Sequence, residues 1–213
     1  MTESASGIIL RTRPLTETSL IVHWITPELG RIATVAKGAR RPKSPFAGKL
    51  DLFYTADFSF IRSRRSELHT LRETSLRGTH GAIREDIAKL QQAGYLAAFI
   101  EQTTEMESPL PEIFELTRGF LKWLCDHDPK AQNVLALELK LLRELGLMPE
   151  LGETRLTPGA KKIALALLEN DWANSARLVP SPTQIHELQQ WLNGFLILHL
   201  GRLPRGRTAA LAE

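Results

Sequence analysis

The sequence offers almost no sulfur chemistry. Cys125 is the single cysteine among 213 residues, which excludes an internal disulfide framework and any four-cysteine metal site. No apolar run approaches the ~18–20 residues needed to span a bilayer. The opening, MTESASGIILRTRPL, places acid and serine where a secretory signal carries basic residues ahead of a long apolar stretch. These absences predict a cytoplasmic chain with no membrane partner. What is present suits a globular protein of one large or two small domains: 43% hydrophobic and 24% charged residues, enough to bury a sizeable core.

A net charge of +3 conceals an asymmetry. Residues 1–80 hold 13 lysines and arginines against 7 acids, whereas the remainder holds 14 against 17. Between Arg31 and Arg65 nine basic residues face only Asp51 and Asp57. Charge divided this way suggests a nucleic-acid-binding module joined to a part with another task.

Hydrophobic periodicity divides the chain at a similar place. Gly7–Arg11, Ser19–Ile25, Arg31–Lys37, Asp51–Arg62 and Glu67–Arg77 read as strands. In the fourth, Leu52, Tyr54, Ala56, Phe58 and Phe60 alternate with polar residues, the pattern of a half-buried strand. Five short strands in so few residues predict a small closed barrel, because closure removes exposed edges. Beyond residue 80 the period becomes helical, with stripes such as Val134, Leu137, Leu141 and Leu145. Gly146 follows as a stop, and Thr157-Pro158 and Ser181-Pro182 place a capping hydroxyl before proline at the first helical position. The expectation is an α+β protein: a five-stranded barrel over 1–79 and an α-helical domain over 80–213.

Catalytic constellations are scarce. Gly38–Ser44 imitates a phosphate-binding loop, but Pro42 stands where a glycine should precede Lys43 and has no N–H to give a phosphate. Cys125 and His127 are too few ligands for zinc. His199 reads as a core or interface residue, and Asp126, His127 and Asp128 as helix punctuation. Glu105 and Glu107, at i, i+2 on a helix, would point apart. No enzyme activity, metal or cofactor is expected.

The basic segment carries the chemistry. Lys37, Arg40, Arg41, Lys43 and Lys49 lie on a Gly/Pro/Ser-rich connection between strands, with Phe46 at its middle. Arg62, Arg64 and Arg65 form a second cluster, and Arg11 and Arg13 follow the first strand. In a closed barrel such connections can line one groove for a phosphate backbone. The expected nucleic-acid-binding set is Arg13, Arg31, Lys37, Arg40, Arg41, Lys43, Lys49, Arg62 and Arg64, with Phe46 as the stacking aromatic because its neighbours are polar or small. Phe58, Phe60 and Trp24 read as core.

The string LRTRPLTETSLIVHWITPELGRIATVAKGARRPKS, followed by FAGKLDLF, resembles the opening of the bacterial RecO family of recombination mediators. Its most specific parts are Glu17–Leu20, Gly30-Arg31 and Ala36–Arg40, with Gly48 and Leu50 beyond. The helical half resembles the family more loosely, through Glu138–Leu142, the Leu145–Pro149 stop and a final helix running into Gly201–Pro204. The resemblance implies an N-terminal OB-fold and a helical C-terminal domain. It also implies binding of single- and double-stranded DNA, strand annealing, and loading of RecA with the partner RecR onto DNA coated by single-strand-binding protein, in the cytoplasm at the nucleoid. Many members carry a four-cysteine zinc knuckle after the Leu-Gly-Leu-Met-Pro stop. Here Glu150–Pro158 contains no cysteine, so zinc is not expected.

The resemblance further implies that the helical half receives the acidic tail of single-strand-binding protein, with Lys122, Lys140 and Arg143 as candidate contacts. Arg202–Arg207 reads equally as a disordered end or an auxiliary DNA contact. Two other readings stay open: an RNA-binding or ribosome-associated barrel protein, and a metal-dependent nuclease.

Overall fold

In the computed structural model, which describes residues 2–212, the strands are β1 (Thr2–Pro14), β2 (Leu20–Thr26), β3 (Gly30–Ala36), β4 (Thr55–Ile61) and β5 (Leu68–Gly78). They close into a barrel in the order β1-β2-β3-β5-β4. β1 serves two neighbours. Thr2–Ile8 pairs antiparallel with β4, Ile8–Pro14 pairs with β2, and a register shift between Ile9 and Arg11 marks the bend. A short parallel pairing of β3 with β5, from Ala33↔Leu68 to Val35↔Thr70, completes closure. A five-stranded barrel of this order followed by helices fits an OB-fold ahead of a helical domain, as expected.

Two strand boundaries depart from the expectation. β1 starts at Thr2, not Gly7, because Thr2–Ser6 contributes backbone pairing to β4 with few apolar side chains. β4 starts at Thr55, so Leu52 and Tyr54 lie ahead of the strand, although Tyr54, half-buried, still packs against the core that holds Ala56, Phe58 and Phe60. Phe53 is the buried residue of that stretch, 2% exposed at φ 63°. Its N–H donates to the Ile9 carbonyl at 2.8 Å, and Ile9 N–H donates to Tyr54 O at 2.9 Å. That exchange with β1 requires a turn where simple alternation predicts strand.

The barrel core gathers Ile9, Val22, Trp24, Ile32, Ala36, Phe46, Ala56, Phe58, Phe60 and Leu71. Trp24 stacks on Phe58 at 4.1 Å between centroids, and its indole N–H donates to Thr34 Oγ1 at 2.9 Å. The buried polar group of this core side is therefore satisfied.

The chain divides into two compact units, one reaching Gly81 and including Thr104–Arg118, the other comprising Ala82–Thr103 and the residues from Gly119 onward. The return of Thr104–Arg118 to the barrel unit is a feature that a single boundary after residue 79 does not contain. Gly30 makes the return possible. Its φ is +63°, and a Cβ there would fall 1.6 Å from the Ser108 carbonyl oxygen. In that space Glu107 N–H donates to Arg31 O at 2.8 Å and Leu110 N–H to Pro27 O at 3.1 Å.

The second unit is helical: α1 (Ile87–Thr103), the latter part of α2 (Pro111–Asp126), α3 (Ala131–Glu144), α4 (Pro158–Glu169), α5 (Trp172–Ala176), α6 (Pro182–Leu200) and α7 (Arg207–Ala210). The expected caps are present. Thr157 accepts from Ala160 N–H, and Ser181 forms a capping box with Gln184. α3 is buried from Ala131 to Leu142, with α4, α5 and α6 packed on it. A helix buried all round must satisfy its polar side chains internally. Glu138, 0% exposed, accepts from Tyr95 Oη at 2.5 Å and from Arg207 Nε and Nη2 at 2.6 and 2.9 Å. Burial, followed by the Glu138 charge, holds the Tyr95 hydroxyl well above its ordinary pKa.

Candidate nucleic-acid interface

The interface begins at the end of β3. From Ala36 the chain turns repeatedly: Ala39 N–H donates to Ala36 O, Arg41 to Gly38, Ser44 to Arg41, Ala47 to Ser44 and Lys49 to Phe46. These turns expose Lys37, Arg40, Arg41 and Lys43 and leave Lys49 half-buried. Arg40 ties the connection to the β1–β2 turn, its N–H donating to Thr18 O at 3.0 Å and its guanidinium to Thr16 O at 3.2 Å. Among the described residues no carboxylate pairs with Lys37, Arg41 or Lys43.

Strand register adds Arg13 to this end. Arg13 lies opposite Ile21, Ile21 opposite Val35, and Pro14–Leu20–Ala36 forms the next row, one residue short of Lys37. The exposed Arg13 donates from Nη2 to His23 Nε2 at 3.0 Å. A guanidinium has only donors, so His23 accepts there and is neutral. Burial, then the charges of Arg13, Arg11 and Arg31, lowers the His23 pKa to about 4.

Phe46 corrects an expectation. It is 7% exposed and belongs to the barrel core, so it pins the connection to the barrel and presents no open ring for stacking. Polar neighbours along the sequence said nothing about the apolar barrel interior into which this side chain folds.

Arg31 and Arg62 are also redirected. Arg31 Nε donates to Thr104 Oγ1 at 2.7 Å and its Nη2 to Thr104 O. Arg62 grips Glu3 through Nε and Nη2 at 2.8 and 2.9 Å and pairs with Glu107 through Nη1. The hydrogen bond from Arg62 holds the Glu3 carboxyl below the usual carboxylate range. Glu107 also approaches the buried His69, whose Nδ1 accepts from Ser63 N–H at 3.3 Å and whose Nε2 lies 3.0 Å from the carboxylate. Glu105, the other carboxylate weighed for a nuclease and expected to point away from Glu107, has no part in these contacts, and Glu107 is a structural acceptor.

Arg64 and Arg65 are exposed in the β4–β5 turn. Because Leu68 pairs with Ala33, that turn is level with the start of β3, whereas Lys37 follows its end. Lys37 follows Arg31 by six residue steps of strand, roughly 20 Å at the rise of an extended chain. The expected single groove is thus two separate ends, with Lys37, Arg41 and Lys43 at one and Arg64 and Arg65 at the other, none of them paired with a carboxylate among the described residues.

In the helical unit, Lys140 is corrected as a partner contact. It is 6% exposed, donates to Leu168 O at 2.8 Å and Asn170 O at 2.6 Å, and lies 5.6 Å from the Trp172 ring centroid. It closes the carbonyl end of α4, and burial, then Arg143, lowers its pKa to about 8. Arg143 shares Leu168 O at 3.3 Å and pairs with Glu144, while Lys122 is exposed on α2. Arg207 is neither a disordered end nor a DNA contact, being 6% exposed against Glu138. His199 is exposed and packs on Phe195 at 4.1 Å, and His127 stacks on Trp123 beyond the end of α2.

Sequence reading missed Arg72, Glu73 and Thr74 of β5. With Lys49, Asp57 and Phe58 they line a cavity of about 690 Å³ in the barrel unit. The available signal was the polar run Arg72–Ser75 inside a strand. Among the described residues no cluster of three His, Cys, Asp or Glu side chains is placed to hold a metal, and no helix is long and apolar enough to cross a membrane.

Comparison with known proteins gives two family matches: "Recombination protein O N terminal" over residues 1–80 and "Recombination protein O C terminal" over residues 84–154. The DNA repair protein RecO of Rhodopirellula baltica is 34% identical over 143 residues, covering 67% of this chain and 53% of that protein. The protein of the same name from Bacillus subtilis is 32% identical over 151 residues, covering 71% of this chain and 58% of its own length. The chain spans a little over half the length of the curated relatives it matches.

Proposed function

The chain belongs to the RecO family, and from that premise we propose that it is a DNA-binding protein of recombination and repair that promotes strand annealing and performs no bond-making of its own. The observation that carries this reading is the connection Lys37–Lys49: four exposed cations on a chain of turns, anchored at Phe46, with no carboxylate drawn onto Lys37, Arg41 or Lys43 among the described residues.

Such a surface suits annealing. Two strands repel through their phosphates, and exposed Arg and Lys side chains neutralise that charge by releasing counterions. Phosphate contacts carry no sequence information, so any pair of complementary strands is accepted. Binding of this kind is tight at low salt and readily reversed, and neither strand is locked in place. The proposed partners are those that the family resemblance implies: single- and double-stranded DNA, RecR, and single-strand-binding protein, whose DNA is handed to RecA. The helical unit is the proposed protein-contact region, with Lys122 still available there and Lys140 withdrawn.

The test is a salt titration. Arg40→Glu/Arg41→Glu weakens binding to all single-stranded sequences alike and reduces the slope of log K against log salt by about 1–2. Annealing of complementary oligonucleotides falls in parallel. An unchanged slope places the interface elsewhere.

A further inference from the structure

The cavity in the barrel unit has a lining that the annealing surface does not explain. Its volume of about 690 Å³ lies within the ~300–1,000 Å³ of small-ligand sites. Ala5, Phe58 and Thr74 form one cross-strand row of its wall, and Ser4, Ser59 and Glu73 the next. Pro45, Phe46 and Lys49 of the basic connection supply the rest, together with Asp57, Arg72 and Ser75. Two aromatic side chains and an alanine therefore meet two cations and two carboxylates. One carboxylate is already engaged: Asp57 accepts from Arg77 Nε at 2.6 Å and from the Ser6 hydroxyl, and those contacts lower its pKa. Thr74 is 9% exposed, and its hydroxyl is buried with no partner among the described residues.

We infer that this cavity receives one unstacked nucleobase from a strand whose phosphates lie along Lys37–Lys49. The inference rests on the DNA-binding reading and deepens it. Lys49 belongs both to the cavity lining and to the basic connection, so a strand followed along that connection arrives at the cavity. Phe46 and Phe58, 7% and 3% exposed, contribute only the small apolar margin they leave to the cavity, a contact that any base can make. Lys49 and Arg72 are placed for the phosphates on either side of the extruded base. The idle Thr74 hydroxyl, on the same cross-strand row as Phe58 and Ala5, meets a ring edge. An acidic peptide, the competing occupant, would set its carboxylates against Asp57 and Glu73. A base held out of the stack keeps a strand from folding on itself, which helps a protein that must offer strands for pairing.

The experiment uses the full chain and single-stranded oligonucleotides carrying one 2-aminopurine, whose emission is quenched by stacking. At low salt, saturating protein raises the emission three-fold or more. Ser4→Leu/Ser59→Leu, a cross-strand pair on the cavity wall, abolishes the rise and changes the dissociation constant less than three-fold. Thr74→Val, which preserves side-chain shape, at least halves the rise and serves alone if the double variant does not fold. Tight binding with no rise in the unmodified chain overturns the inference and leaves DNA binding standing. A rise that survives in every folded variant also overturns it, as does loss of the rise to an acidic peptide that does not displace the strand. Absence of binding at low salt overturns the DNA-binding reading, and the inference with it.

Discussion

The Lys37–Lys49 connection and helix α3 use charge in opposite ways. Both hold lysine or arginine in strings that resemble the RecO family, Ala36–Arg40 in one and Glu138–Leu142 in the other. In the connection the backbone spends its hydrogen bonds on successive turns, so Lys37, Arg41 and Lys43 point to solvent and no acid among the described residues answers them. In α3 the helix is buried all round. Glu138 is consumed by Tyr95 and Arg207, and Lys140 by the last carbonyls of α4 and by Asn170. A positive charge marks a ligand surface only when the fold leaves it without an internal acceptor. Arg62 sits between these cases, being half-buried on the barrel yet held by Glu3 and Glu107.

The comparison can be broken most forcefully at α3. Arg207→Leu leaves the Glu138 carboxylate buried with one of its two partners gone. Removal of one member of a buried pair costs about 3–5 kcal/mol, so urea unfolding of this variant shows a large loss of stability. The salt slope of DNA binding stays unchanged in the fraction that remains folded. A mild loss, under about 1 kcal/mol, would show that solvent reaches Glu138.

His23 sharpens the contrast within the barrel. Its pKa is lowered from 6.5 to about 4, so between those values the unfolded chain binds the extra proton and stability rises with pH. Acidification from pH 6.5 to 4 therefore removes stability, by about 1–2 kcal/mol for this partly buried group. His23→Gln keeps an acceptor for Arg13 and removes the titration. Unfolding midpoints at pH 4.5 and 6.5 should lie closer together in the variant, and an equal gap would relieve His23 of this role.

The smallest effect is expected at Arg62. Arg62→Gln loses a half-exposed ion pair worth about 0.5–1 kcal/mol, and its DNA affinity at any salt should match that of the parent chain. A drop in salt slope comparable to that of Arg40→Glu/Arg41→Glu would return Arg62 to the DNA surface and erase the distinction between the two barrel ends.

Local rules were enough for much of this protein. Period-two and helical patterning, turn residues and capping hydroxyls are short-range effects, so the five strands, the later helices, the Thr157 and Ser181 caps and the excess of positive charge on the front of the chain could be read directly. The tertiary structure decided what depends on distant partners. It sent Phe46 into the barrel, turned the chain at Phe53 to meet Ile9, and brought Thr104–Leu110 back against Gly30 and Arg31. It also drew Glu3 and Glu107 onto Arg62 and opened a cavity between β1, β4, β5 and the basic connection. The physical reason is common to all of these. Whether a charge or an aromatic ring faces water depends on groups that are close in space and far apart along the chain, and no local period encodes that meeting.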